Sequence, residues 1–210
     1  ERYWTEAEWE QFMLENERLM DRYQKVWEDN PGKSWKDPLD LYYKVHYDLD
    51  APKEPEEEPI DEPAVTEPTP ERASQDPAIH EQGDFHDIPA YRLAYAFANA
   101  ALDYMKRFER EPRGQNPFRE QFCLQALRIA ADVAGGHGLG YDEDALCGNI
   151  VKNRWALGHA QEAQRLLRLL MEREGSNPIF EALLAQLSPI IRALEERVTE
   201  LRTKVWWDKK

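Results

Sequence analysis

Residues 177–205 read NPIFEALLAQLSPIIRALEERVTELRTKV. Within them Phe180, Leu184, Leu187, Ile191, Leu194, Val198, Leu201 and Val205 are spaced 4, 3, 4, 3, 4, 3 and 4 residues apart. Apolar residues at that period fall on one face of a helix, a heptad seam. Asn177 ahead of Pro178 supplies a side-chain cap and then a residue suited to the first helical position. Pro189, with Ser188 before it, lies inside the seam. The seam keeps its register across the proline, so a kinked or a restarted helix would turn both halves to one surface. The pattern predicts the spine of an intramolecular bundle; an intermolecular coiled coil is the other use of such a seam.

Further helices are legible upstream. Asp87 and Pro89 predict a start, with Tyr91, Ala94, Tyr95, Ala98, Leu102, Met105 and Phe108 as the inward stripe and Pro112-Arg113-Gly114 as the stop. Asn116-Pro117 predicts the next, carrying Phe122, Ala126, Leu127, Ile129, Ala130 and Val133 and ending at Gly135-Gly136. Asp142 then predicts a cap for a helix to about Trp155, and Gly158 a break before Ala163, Leu166, Leu167 and Leu170. At the other end of the chain, Thr5 and Glu8 form a capping box, with Trp4 and Trp9 in the staple positions. The helix they open carries Trp9, Phe12, Met13, Leu19, Met20, Tyr23, Val26 and Trp27 and stops at Asn30-Pro31-Gly32. A shorter helix follows from Asp37-Pro38 to about Asp48.

Residues 50–87 are of a different kind. They hold seven of the 14 prolines, and 13 Asp and Glu against 2 Lys and Arg, a net −11 of the chain's −14. Residues 88–210 carry a net +2. Proline removes backbone donors, like charges repel, and so few apolar residues cannot offset the entropy of ordering. The stretch reads as an extended strap. The resulting expectation is an all-α fold in three parts. A helical pair (1–49) packs on a bundle of about five helices (88–206, within a body of 88–210), and the acidic Pro-rich strap (50–87) joins them. The aromatics Trp4, Trp9, Trp27, Trp35, Tyr42, Tyr43 and Tyr47 would face the body, with Trp206 and Trp207 in the same contact.

Charge and hydropathy exclude some function classes. A phosphate-backbone binder needs a concentrated basic face, and none is evident. No apolar run reaches the roughly 18–20 residues that span a bilayer, and no signal peptide is visible. Cys123 and Cys147 do not make the framework of a small secreted domain, and read as two reduced, buried thiols. A cytoplasmic location is therefore expected, which an upstream signal or anchor removed before Glu1 would alter.

Three constellations bear on chemistry. Residues 135–144, GGHGLGYDED, are the glycine-richest stretch. Their backbone amides could meet a ligand, with His137, Tyr141, Asp142 and Asp144 as the binding candidates. The nucleotide motifs of this kind follow a strand and include a lysine, and neither holds here. His159 and Glu162, at i and i+3, can share a helical face and are the metal candidates, although a carboxylate-bridged centre needs more ligands. His80, Glu81, Asp84, His86 and Asp87 form a second His/acid cluster, read as a hinge. Neither cysteine, paired with His137 or His159, lies in a protease signature.

Residues 145–178, with Leu157-Gly158, Ala163 and Asn177-Pro178, resemble one tetratricopeptide helical hairpin, and no second copy follows at the period of about 34 residues. That resemblance implies two helices broken near Gly158 and no particular ligand. The functional expectation is a non-catalytic helical interaction or scaffold protein, with a protein partner or self-association and without a cofactor, nucleic acid or membrane. The alternative is a small-ligand- or metal-binding bundle using the Gly135–Asp144 loop.

Overall fold

The computed structural model describes residues 2–29, 83–107 and 116–207. Among these there are five α-helices and no strand: α1 (Glu6–Glu28), α2 (Pro89–Lys106), α3 (Pro117–Leu139), α4 (Leu146–Glu174) and α5 (Pro178–Lys204). A 3-10 turn, Phe85–Asp87, precedes α2. The second helix of the expected N-terminal pair (37–48) and most of the acidic strap lie outside the described residues, as do Phe108 and Pro112 to Gly114. The chain divides into two compact units, Glu1–Glu10 with Ala78–Lys210, and Gln11–Pro77. In the second unit the described residues continue α1, supported by the i,i+4 bonds Gln11 Nε2 to Glu15 (2.9 Å) and Gln24 Nε2 to Glu28 (2.7 Å).

Helices α2 to α5 form a closed ring of neighbours: α2 packs on α3, α3 on α4, α4 on α5, and α5 back on α2. Connections of six residues (140–145) and three (175–177) suit antiparallel neighbours. The Asn-Pro starts behave as their chemistry dictates. Asn116 Oδ1 accepts from the Phe118 amide (3.1 Å), and Asn177 Oδ1 from the Ile179 and Phe180 amides (both 3.0 Å). The core between the helices is apolar, with Phe97, Phe122, Tyr104 and Phe180 meeting edge to face at one end (centroids 5.5–6.3 Å).

The α5 spine is buried within its own chain. Phe180, Leu187, Leu194, Val198, Leu201 and Val205 are inside as the heptad requires. Leu183 and Ile190 replace Leu184 and Ile191 as the deepest residues, while the latter two lie half-buried at the margin. A straight helix drifts from a strict seven-residue repeat, so its buried stripe shifts by one position along its length. Pro189 is exposed and lies inside an uninterrupted α5, so it does not split the helix.

Other local expectations are corrected. Gly158 does not break the chain. α4 runs 29 residues through it, with Ala156, Ala160, Ala163, Leu166, Leu167 and Leu170 buried along one stripe, so packing overrides the local propensity. The tetratricopeptide-like hairpin is therefore not broken at Gly158 but is one continuous helix from Leu146 to Glu174, and among the described residues four α-helices follow residue 88. Gly135 and Gly136 do not end α3, which continues to Leu139. Asp142 is not the side-chain cap of α4; its carbonyl accepts from the Ala145 and Leu146 amides in a turn, and the helix starts at Leu146. The cap before α2 is Ile88, and Asp84, not Asp87, caps the preceding turn. On α2, Phe97, Ala101 and Tyr104 are buried while Tyr95 is exposed, a stripe rotated from the expected one.

The first ten residues complete the bundle. Thr5 and Glu8 make the reciprocal capping box (Glu8 amide to Thr5 Oγ1, 3.3 Å; Thr5 amide to Glu8 Oε2, 2.9 Å). Trp4 and Trp9 meet at 5.4 Å. Trp9 lies on α4 at Gly148, where an added Cβ would sit 2.9 Å from two of its ring atoms. It joins a small second cluster of Leu146, Cys147, Ile150, Val198, Leu201 and Val205, closed also by Tyr141 and Trp207. Around it Glu6 pairs with Arg154 (3.3 Å) and Arg202 (2.7 Å), and Trp155 Nε1 donates to Glu10 (3.4 Å). Tyr3, which the expectation did not name, packs on Trp206 and Trp207; of the aromatics it did name, Trp35, Tyr42, Tyr43 and Tyr47 and the side chain of Trp27 lie outside the described residues.

The two α4 glycines make a paired test. Gly148→Ala drives a methyl into the Trp9 ring, so it is expected to destabilise the protein by about 1–3 kcal/mol and red-shift tryptophan emission. Gly158 is exposed with nothing within 4 Å of an added Cβ, so Gly158→Ala is expected to stabilise by about 0.5–1 kcal/mol through helix propensity. Urea denaturation followed by fluorescence reads both.

Candidate functional site

Where α3 ends against α4 and α5, the core turns polar. Asn149 and Asn153 are the two polar residues buried outright among the described residues. They stand one helical turn apart on the inward stripe of α4, in line with Leu146, Ile150 and Ala156. Their presence depends on Gly136. A Cβ there would sit 2.9 Å from Asn149 Oδ1 and from Asn153 Nδ2, and 3.1 Å from the Asn149 carbonyl. The glycine that the sequence offers as a loop residue is thus a helical one, and its missing side chain is the space the asparagines fill.

From that pair a chain of hydrogen bonds runs outward. Asn149 Nδ2 donates to the Gly140 carbonyl (2.9 Å), where φ of +114° suits glycine as the α3 terminator. Asn153 Nδ2 donates to the Asn149 carbonyl (2.9 Å) and Oδ1 (2.8 Å). Arg197 of α5 donates through Nε to Asn153 Oδ1 (3.0 Å) and through a terminal nitrogen to the Tyr141 hydroxyl (2.8 Å). The Tyr141 hydroxyl in turn meets His137 Nδ1 at 2.8 Å. Burial pushes the His137 pKa down and Arg197 adds to this; a hydrogen bond to the Gly83 backbone and the Asp84 charge act the other way. Lys204, whose ammonium lies 5.8 Å from the Tyr141 ring centroid, is held by Glu200 at 3.1 Å.

The structure therefore brings His137 and Tyr141 together, and leaves Asp142 and Asp144 exposed on the turn that follows. His159 and Glu162 do not converge. His159 Nδ1 faces Gln125 Oε1 (2.6 Å) and its Nε2 faces Asp132 Oδ2 (3.2 Å), while Asp132 Oδ1 accepts from Lys152 (2.9 Å). Glu162 is gripped by Arg165 through two short bonds (2.6 and 2.7 Å), which hold its carboxyl below the usual range. Among the described residues no group of three or more His, Cys, Asp and Glu is placed to hold a metal ion. In the second cluster, Asp84 pairs with His86 (2.7 Å), while His80 and Glu81 lie outside the described residues. Cys147 is fully buried, and burial pushes the Cys123 thiol up, away from the thiolate that nucleophilic chemistry needs. No helix among the described residues is long and apolar enough to cross a membrane.

Arg197, Asn149 and Asn153 escaped the sequence reading. Their signal was present: two asparagines four residues apart, interrupting an apolar stripe, and an arginine beside Val198 in the α5 seam. Comparison with protein-family models, with curated proteins and with solved structures gave no match.

Asn153→Leu removes the acceptor of Arg197 Nε and the donor to Asn149. It is expected to cost about 1–3 kcal/mol in urea denaturation. A double-mutant cycle with Arg197→Met is expected to show coupling of about 0.5–3 kcal/mol, and strict additivity would mean that the two residues act separately.

Proposed function

We propose that this chain is a helical interaction or scaffold protein that presents the outer face of α3, with an adjoining flank of α2, to a protein partner or to a second copy of itself. The observation that carries this reading is the set of large apolar side chains left outside on these adjacent helices. Leu93 and Tyr95, two residues apart and so on opposite flanks of α2, are 40% and 53% exposed, and Leu124 and Leu127 on α3 are 47% and 38% exposed. Leu124 and Leu127, three residues apart, lie side by side on the helix surface. Single exposed apolar residues are ordinary, but neighbouring helices that both keep them favour a contact surface.

The internal polar groups add support. His137, Tyr141, Arg197, Asn153 and Asn149 are bonded to one another, an arrangement suited to fixing one packing of the bundle rather than to meeting a substrate. The glycines that would have cradled a ligand belong largely to α3, where their amides enter the helical ladder. The acidic residues 50–87 add a second recognition element, one that suits a basic partner and weakens with salt.

Sedimentation of the purified chain tests self-association. A dimer abolished by Leu124→Asp with Leu127→Asp supports the α2–α3 face as its interface. If the chain is a monomer, a photo-reactive residue at position 124 is expected to give one discrete cross-linked product in cells, and the same residue at Glu172 none. Equal products at both positions, or stoichiometric metal that His159→Ala removes, would overturn the reading.

A further inference from the structure

The first ten residues reach the bundle through one stripe of side chains. Glu6, Trp9 and Glu10 stand at i, i+3 and i+4 on the first turns of α1, and Tyr3 precedes them. The receiving surface is built from α4 and α5. Gly148 leaves the notch that the Trp9 ring enters, since an added Cβ would meet two ring atoms at 2.9 Å. Arg202 grips the Glu6 carboxylate through Nε (2.8 Å) and a terminal nitrogen (2.7 Å). Arg154 reaches both Glu6 (3.3 Å) and Glu10 (3.4 Å). Leu146, Cys147, Ile150, Val198, Leu201 and Val205 line the socket and form a cluster of their own, apart from the main core. Acidic side chains meet basic ones around an inserted indole, which is how an amphipathic helix seats in the groove of a partner.

Two features make this contact independent of the covalent link. The ligand side sets its own shape, because the Thr5–Glu8 box and the Trp4–Trp9 contact start the helix without help from the bundle. The ligand side is also remote in sequence. Residues 11–77 form the other compact unit and separate Glu1–Glu10 from Ala78, where the chain rejoins the unit that holds the socket. Loop closure over such a span leaves a copy's own segment an effective concentration on the order of a millimolar or less. A second copy at comparable local concentration competes on equal terms.

We propose that the α4–α5 socket is a helix-docking site that accepts residues 2–10 of a second copy in place of its own, so that copies held close together join by reciprocal exchange. The exchange is two-fold symmetric: each copy gives one segment and receives one. It uses neither Leu124 nor Leu127, so its failure would leave the α3 reading untouched.

Charge reversal tests the exchange with two full-length variants, both carrying Leu124→Asp and Leu127→Asp to remove association through the α3 face. One also carries Glu6→Arg and Glu10→Arg, and the other Arg154→Glu and Arg202→Glu. Alone, each variant sets like charges together, within a copy and between copies. Mixed, each segment meets a socket of opposite charge. Well below millimolar concentration, sedimentation is expected to show monomers for each variant alone and a one-to-one dimer in the mixture. A mixture that stays monomeric, or a variant that dimerises as well alone, would overturn the proposal. A second measurement leaves the socket unaltered. A fluorescent peptide of residues 1–16 is titrated with the full chain carrying Trp9→Ala, and its anisotropy is followed. The native-sequence peptide is expected to bind at least about tenfold more tightly than the same peptide with Trp9→Ala. Equal binding of the two peptides, or binding of neither, would also overturn it.

Discussion

Burial of the α5 spine is the constraint on which the remainder of the structure depends. Six of its eight heptad positions lie fully inside, and each such side chain adds roughly 1.5–3 kcal/mol by leaving water. That gain requires α2 and α4 to flank α5, and the three-residue connection at Gly175 to Asn177 brings α4 alongside. α3 then closes the ring. The bidentate contact of Arg119 with Glu174 (3.1 and 2.9 Å), joined by Asn116 (2.7 Å), pins the start of α3 to the end of α4.

The core varies in character along the bundle. One end is aromatic, with Phe97, Phe122, Tyr104 and Phe180 in edge-to-face contact. The other end admits two asparagines and an arginine. Apolar contacts tolerate sliding, whereas the Asn149–Asn153–Arg197 bonds are formed in one register of α4 against α5 and no other. Gly136 belongs to the same device, since any larger residue would push α3 away from the pair. Specificity of packing is thus concentrated at the polar end, and cohesion at the aromatic one.

How much of this could be read from the sequence follows from which forces act locally. The Thr5–Glu8 box, the Trp4–Trp9 staple, the Asn-Pro starts and the α5 period were legible, because each is set within one or two helical turns. Gly135, Gly136 and Gly158 were misread for the opposite reason. A glycine's local preference is to end a helix, but at Gly136 the reward for continuing comes from Asn149 and Asn153 on another helix. The ring partners of His159, Gln125 and Asp132, lie 34 and 27 positions before it and cannot be found from spacing within one helix. His137 and Tyr141 were singled out along with Asp142 and Asp144, but the residue that holds the Tyr141 hydroxyl, Arg197, is 56 positions beyond the tyrosine.

The contact between the first ten residues and the end of α5 has a consequence for the order of events in folding. Glu6 and Arg202 are 196 positions apart, and closing so long a loop opposes the contact by about 4–5 kcal/mol of chain entropy when nothing else is ordered. The connections among α2 to α5 are short by comparison, so the bundle can condense first and bring the loop's far end into place. During synthesis the N-terminal aromatics emerge long before the surface that receives them. Trp9 waits for Gly148, and Tyr3 waits for Trp206 and Trp207 until about 200 further residues have been made. Docking of the first ten residues therefore follows the bundle, and a bundle caught before it carries a bare Leu146–Val205 cluster at one end.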